Sequence, residues 1–255
     1  MPAFLDEYSY FAGDGSRNED GLSLDEFLEG YNHHAYDRPS VTADILVFGH
    51  DGRIYERIKA DRSGDHTEEI LNGLTLLMVK RRNHPSIGYW ALPGGFCEVH
   101  EDFIRSARRE LYEETGLTDI PMELINTFGE EKRDPRYRII TGAFLALVDR
   151  SKYTPVAGDD AADARWFSVD LSTESVEEVD RGSTKAIRTV YDISLASMDD
   201  DRIRCGAKVA VTSNKGTILK ETSYEVLDNH HIAFDHARFI ANGLMHIRRG
   251  IAELS

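Results

Sequence analysis

Cysteine is scarce in this 255-residue chain, which has two, Cys97 and Cys205. Two thiols make no disulfide framework, so the fold must rest on a buried core, and a reducing cytoplasmic location is expected. Basic residues are also in deficit: 30 Lys and Arg stand against 45 Asp and Glu, a formal net charge of -15. No run rich in Lys or Arg offsets that excess. Long nucleic acid and anionic membrane surfaces are therefore not expected as partners. Long apolar runs are missing as well. Gly142–Val148 is among the longest and falls well short of a membrane span. The first residues, Met1 to Glu7, hold no basic stretch followed by an apolar one, so no secretory signal is expected. There is no Gly-x-Ser-x-Gly elbow and no Walker-type loop. The adjacent pairs His33-His34 and His230-His231 match no zinc spacing.

What is present suits a folded domain. Hydrophobic residues make up 41% of the chain and charged residues 29%, which excludes disorder for most of it. This length allows one enlarged domain or two small ones. Residues 1–22 are rich in Gly, Asp, Asn and Ser and read as loosely ordered. Leu22, Leu24, Phe27, Leu28 and Tyr31 fall at helical spacing, and Pro39 stops any continuation. Strands are predicted at Val41–Gly49, Leu74–Val79, Glu123–Phe128, Arg138–Val148 and Ala164–Phe167, with residues 50–73 as a polar insertion. Glu101–Thr115 is predicted as a helix with Phe103, Ile104, Ala107 and Leu111 on one side and Gly116 as its stop. Ile187–Leu195, Arg202–Val211 and Thr217–Val226 carry strand patterns, with Asn214-Lys-Gly216 as a turn. Ile232–Ala252 is predicted as a final helix. Many strands and two or three helices give an α/β or α+β class with a mixed sheet.

The informative stretch is Gly95-Phe-Cys-Glu-Val-His-Glu101, then seven residues, then Arg109-Glu-Leu-Tyr-Glu-Glu-Thr-Gly-Leu117. On a helix, Glu110, Glu113 and Glu114 lie at i, i+3 and i+4, so their carboxylates share one side. The ordinary reading of such a face is a solvated one. Here, however, Pro93, Gly94 and Gly95 precede the helix and form a tight turn. A backbone carbonyl there can approach the same ion as the carboxylates. Hard oxygen donors of this kind suit magnesium. Arg109 is placed to hold Glu101 and fix the turn against the helix.

These residues resemble the Nudix box, Gly-x5-Glu-x7-Arg-Glu-U-x-Glu-Glu-x-Gly-U with U aliphatic, at each fixed position from Gly95 to Leu117. A chance match in a chain of this length has a probability on the order of 10⁻⁷. The stretches Tyr36–Thr42, Asn83–Pro85, Trp90–Phe96, Phe128-Gly129, Lys132–Arg136, Ala157–Ala161 and Ile232–Ala237 are similar to the ADP-ribose pyrophosphatase branch of that family. The resemblance covers roughly 35–170 and 230–250 and implies an α/β/α sandwich around a mixed sheet; residues 171–231, which it does not cover, read from their own strand patterns as a β-rich insertion before the final helix. The resemblance divides the chain into an N-terminal extension at 1–34 and a hydrolase domain at 35–255. It implies Mg²⁺, with Mn²⁺ as a substitute, held by Glu110, Glu113, Glu114 and the Gly94 carbonyl. The three glutamates would also be the catalytic residues, with Gly95, Glu101 and Arg109 in support. The reaction implied is attack of water on a pyrophosphate, ADP-ribose giving AMP and ribose 5-phosphate.

Arg81, Arg133 and Arg136 are the candidate diphosphate ligands, because the guanidinium fork matches phosphate oxygens. Phe128 and Tyr137 are candidates for stacking on adenine. For the general base, Asp159, Asp160, Asp163, Glu130, Glu131 and a box glutamate all stay open. Some relatives of this branch are transcriptional regulators, with a DNA-binding domain after the last helix. An intact box and a chain running only to Ser255 make that the second expectation. A sanitiser of oxidised nucleoside triphosphates is the third, set back by the Arg-Asp-Pro-Arg loop. A homodimer is expected from the resemblance alone.

Overall fold

The computed structural model describes residues 6–32, 34–35, 37–60, 66–158, 161–182, 184–219 and 221–254. The chain divides into two compact units, Met1–Pro39 and Ser40–Ser255. In the first, helix α1 spans Leu24–Gly30. Its N-cap Ser23 accepts from the Glu26 backbone while the Glu26 carboxylate accepts from the Ser23 backbone, a reciprocal capping box. That cap starts the helix two residues later than the apolar spacing predicts.

The second unit is built on one ten-stranded sheet. Its strands are β1 (Ser40–His50), β2 (Thr75–Arg81), β3 (Trp90–Ala91), β4 (Gly94–Phe96), β5 (Glu123–Phe128), β6 (Ile139–Asp149), β7 (Ala161–Asp180), β8 (Lys185–Ser197), β9 (Arg204–Lys215) and β10 (Thr222–His230). The order is β10-β9-β8-β7-β2-β1-β6-β5, with β3 on β2 and β4 on β1. β1 and β6 run parallel, from Ser40 opposite Ile139 to His50 opposite Asp149. The other named ladders are antiparallel, so the sheet is mixed. β1 is central and buried from Thr42 onward, which explains its nearly continuous apolar sequence.

Helices cover both faces. α4 (Phe103–Thr115) packs Ala107 and Leu111 with Ile45, Val47, Leu77 and Phe144 on one side. α5 (His236–Leu254) packs Phe239, Ile240 and Leu244 with Leu46, Phe48, Leu76 and Met78 on the other. Alternation along β1 sends Ile45 and Val47 to one layer and Leu46 and Phe48 to the opposite one. This is the expected α/β/α sandwich.

Two parts differ from the sequence reading. Within the polar stretch 50–73 lie two short helices, α2 (Ile54–Ala60) and α3 (Thr67–Asn72). Four apolar residues, Ile54, Ile58, Ile70 and Leu71, carry them into the α5 layer; the charges between hide that pattern. The strand predicted at Ala164–Phe167 is the 20-residue β7. Phe167, Val169 and Leu171 are buried, but Ser172–Glu178 are exposed. That outer part is held by the β8 ladder and by cross-strand pairs such as Glu177 with Arg188, not by burial. Residues 171–231 thus extend the same sheet with four antiparallel strands. No helix among the described residues is long and apolar enough to cross a membrane.

Candidate active site

The site begins with a turn. β3 delivers Leu92, Pro93 and Gly94 to the centre of the sheet, where β4 pairs with β1. The backbone there is tied on three sides. Ile45 N–H donates to the Pro93 carbonyl at 2.8 Å. Gly94 N–H donates to Glu114 Oε2 at 2.9 Å. Leu92 N–H donates to His236 Nδ1 at 3.0 Å. A Cβ at Gly95 would push the Glu110 carboxylate aside, whereas one at Gly94, where φ is 153°, would meet the Ala43 backbone carbonyl, so Gly94 is the position that the turn requires to be glycine.

α4 then supplies the acids. The positions read from the sequence do share a side, and Glu110, Glu113 and Glu114 line one cleft of about 280 Å³. Arg109 sits among them. Its Nε donates to Glu101 at 2.9 Å, and Nη1 donates to Glu110 at 2.7 Å and Glu113 at 2.9 Å. Its Nη2 donates to the Phe96 carbonyl at 2.9 Å and to Glu101 at 3.1 Å. All five guanidinium N–H groups are used, so Arg109 has none left for a ligand. It acts as an internal counter-ion that binds turn to helix. The Glu101 carboxyl is held below the usual range by Arg109, and Ser106 also donates to it.

Glu114 is the buried member. Burial raises its carboxyl to about 8, against the opposing pull of the Gly94 N–H. Asp44, from β1, is a second buried acid in the cleft, raised by burial to about 7. Glu110 repels both. Two carboxyls that resist ionising beside a third describe a place short of positive charge. Among the described residues, no three His, Cys, Asp or Glu converge as a finished metal shell. Arg109 draws Glu110 and Glu113 towards itself instead. The donor chemistry nevertheless fits a hard divalent cation: carboxylate oxygens crowd a glycine turn that leaves them room.

The same cleft is lined by Arg81, Arg133 and Arg136. They are not alike. Arg81 donates from Nε to the Pro85 carbonyl at 2.8 Å, with its guanidinium 4.9 Å from the Phe234 ring centroid. Arg136 is paired with Asp134 and lies 5.3 Å from both the Phe96 and Phe234 rings. Arg133 is only 6% exposed. It grips Asp235 through Nε at 3.0 Å and Nη2 at 2.8 Å, and donates to Thr141 Oγ1 at 2.6 Å. Three of its donors are thereby used on the protein. It lines the cleft mainly as a fixed part of the wall.

Other sequence candidates fall elsewhere. Phe128 is buried and stacked on Phe239 with centroids 4.0 Å apart, so it is core and not an adenine platform. Tyr137 is exposed and outside the cleft lining. Glu130 is paired with Arg238, and Asp163 with Arg165 at 2.7 Å. Asp159 and Asp160 lie outside the described residues. Sequence reasoning missed Asp44, Phe96, Phe234, Asp235 and His236. The last three belong to the Ile232–Ala237 stretch, whose order was visible but whose distance from the box was not.

A family model described as NUDIX domain matches residues 68–187, which hold the turn, α4 and strands β2 to β7. The chain carries a Nudix domain. The chain is 31% identical over 129 residues to the ADPR responsive transcriptional repressor NtrR of Acinetobacter baylyi, covering 50% of this chain and 44% of that protein. It is 38% identical over 94 residues to the ADP-ribose pyrophosphatase of Methanocaldococcus jannaschii, covering 37% of this chain and 54% of that protein. The chain thus spans about half the length of these curated relatives. The fold matches the crystal structure of a MutT/nudix family protein from Enterococcus faecalis with a TM-score of 0.59 and 24% identity, over 94% of this chain and 75% of that one. The Nudix box of this chain is therefore the Gly95–Leu117 segment described above.

Proposed function

We propose that this Nudix domain hydrolyses the pyrophosphate bond of a nucleoside diphosphate derivative, with ADP-ribose as substrate and Mg²⁺ or Mn²⁺ as the ion. The observation that carries the reading is one cleft lined by both kinds of group. Acids from α4 and β1 and the guanidinium groups of Arg81, Arg133 and Arg136 line it together. A diphosphate needs both: oxygens that hold a cation and guanidinium donors for its own oxygens. Glu110, Glu113 and Glu114, with the Gly94 carbonyl, would hold the ion. When bound, the ion supplies charge neutralisation for the diphosphate and acidity for the attacking water.

The residues of the chain do the rest. Arg109 and Glu101 keep helix and turn in register. Arg81 and Arg136 face the cleft on the aromatic surface of Phe234 and would orient the phosphates. Water adds to one phosphorus and the bridging P–O bond breaks. ADP-ribose plus water gives AMP and ribose 5-phosphate, so the atoms balance. The 38% identity to an ADP-ribose pyrophosphatase supports the choice of substrate. A panel of ADP-ribose, NADH, sugar nucleotides and nucleoside triphosphates, each with Mg²⁺ or Mn²⁺, tests it. ADP-ribose should turn over fastest. Release of monophosphate from none of the diphosphate-linked nucleotides overturns the reading.

The similarity to an ADPR responsive repressor favours one second reading, a sensor that binds DNA. The charge of -15 weighs against it, and 171–231 runs as strands of the same sheet. A gel shift with operator-like DNA at moderate salt should show no tight, sequence-specific complex; such a complex would reverse the ranking. A homodimer in a cytoplasmic setting completes the proposal, and light scattering that returns the mass of one chain rejects the dimer.

A further inference from the structure

The matched domain ends at residue 187. Three consecutive residues at the entry to α5 nevertheless bear on the cleft. Phe234 and His236 line it, and Asp235 between them grips Arg133, which also lines it. Each meets a different part of the site. Phe234 presents its ring to Arg81 and Arg136. Asp235 takes two hydrogen bonds from Arg133. His236 Nδ1 accepts from the Leu92 N–H, so the ring hydrogen of a neutral imidazole sits on Nε2. That nitrogen faces Asp44 Oδ2 at 3.8 Å, and the other oxygen of Asp44 lies against Gly94.

The segment is itself fixed from the turn side. Trp90 N–H donates to the His231 carbonyl at 2.9 Å, and Ala233 N–H to the Trp90 carbonyl at 2.7 Å. Phe234 has φ of 49°, an uncommon value for an aromatic residue. Such an outlier persists only where the surroundings over-determine it. Here it aims the ring beneath two guanidinium groups.

We propose that Phe234, Asp235 and His236 are the positioning residues of this site. Phe234 and Asp235 hold the arginine wall in place for an anionic group. His236 holds the strand end that leads into the glycine turn and so sets the acids facing it. The inference deepens the hydrolase reading and rests on it. It differs from a plain core role because it predicts a split between kinetic parameters.

The test uses full-length variants. Phe234→Leu and Asp235→Asn should each raise KM for ADP-ribose about tenfold while kcat moves by less than about twofold. His236→Ala should lower kcat about tenfold or more with KM little changed, and should weaken Mn²⁺ binding. His236→Asn, whose Oδ1 can take the acceptor place, should recover most of that loss. Nitrogen-15 NMR of the unsubstituted protein should show His236 with a bare Nδ1 and a protonated Nε2. Equal losses in kcat and KM that track the melting temperatures, or a protonated Nδ1, overturn the proposal. If the unsubstituted protein cleaves no diphosphate, the hydrolase reading fails on its own. NMR and Mn²⁺ titration of His236→Ala against Asp235→Asn then still decide the His236 role. If His236→Ala does not fold, His236→Asn and the NMR signal decide it.

Discussion

Glu114 shows what one side chain contributes and what it costs. Its folded carboxyl titrates near 8 against an ordinary value of 4.5, because burial penalises the anion. Between those values the folded state holds a proton that the unfolded state has lost. Stability therefore falls as pH rises through that window. Asp44 acts in the same direction up to about 7. His236 acts oppositely: burial lowers it to about 4 from 6.5, so it adds stability as pH rises between those values. Above about pH 6.5 only the carboxyls remain. In chelator, the melting temperature should thus fall from pH 6.5 to 8. Mn²⁺ should restore more of it at pH 8 than at pH 6.5, and Glu114→Gln should flatten the fall. A slope equal in both proteins would contradict this account. For chemistry, Glu113→Gln and Glu114→Gln should each lower kcat by orders of magnitude, read by AMP release; near-normal turnover in both would refute the ligand assignment.

At the scale of elements, α4 depends on its ends as well as on its acids. Its C-cap Gly116 has φ of 71° and a Cβ there would meet nothing within 4 Å. Gly116→Ala should therefore cost about 1 kcal/mol through backbone conformation alone, measurable by denaturant unfolding. The same helix was readable from local pattern: Ala107 and Leu111 mark its buried face, and Gly116 its stop. β5 was legible to the residue for the same reason. The outer half of β7 was not, since Ser172–Glu178 are exposed and are held by the hairpin ladder with the next strand, β8, which no alternation of buried side chains marks. α2 and α3 were obscured because six or seven residues hold too few apolar positions to show a period. In the site, the acids could be read because one helix spaces them. Asp44 and His236 could not, because no short-range rule joins β1 to α5.

For the whole molecule, the excess of acid sets the balance between core and surface. With a net charge of -15, and acids gathered in the cleft, approach of an anionic substrate is unfavourable until a cation is present. At low ionic strength without divalent ions, ADP-ribose affinity should be weak. It should improve as monovalent salt screens the field, whereas in Mn²⁺ added salt should weaken it. Isothermal titration at two salt concentrations reads both slopes; identical slopes would exclude a field effect.

The bond from Leu92 to His236 spans 144 positions of the chain. A contact of that separation can close only after everything between has been made. During synthesis the glycine turn and its acids would emerge early and wait, unfinished, for the last helix. Nascent chains halted before His236 are thus expected to be inert, so that the cell gains no hydrolysis from a partial product.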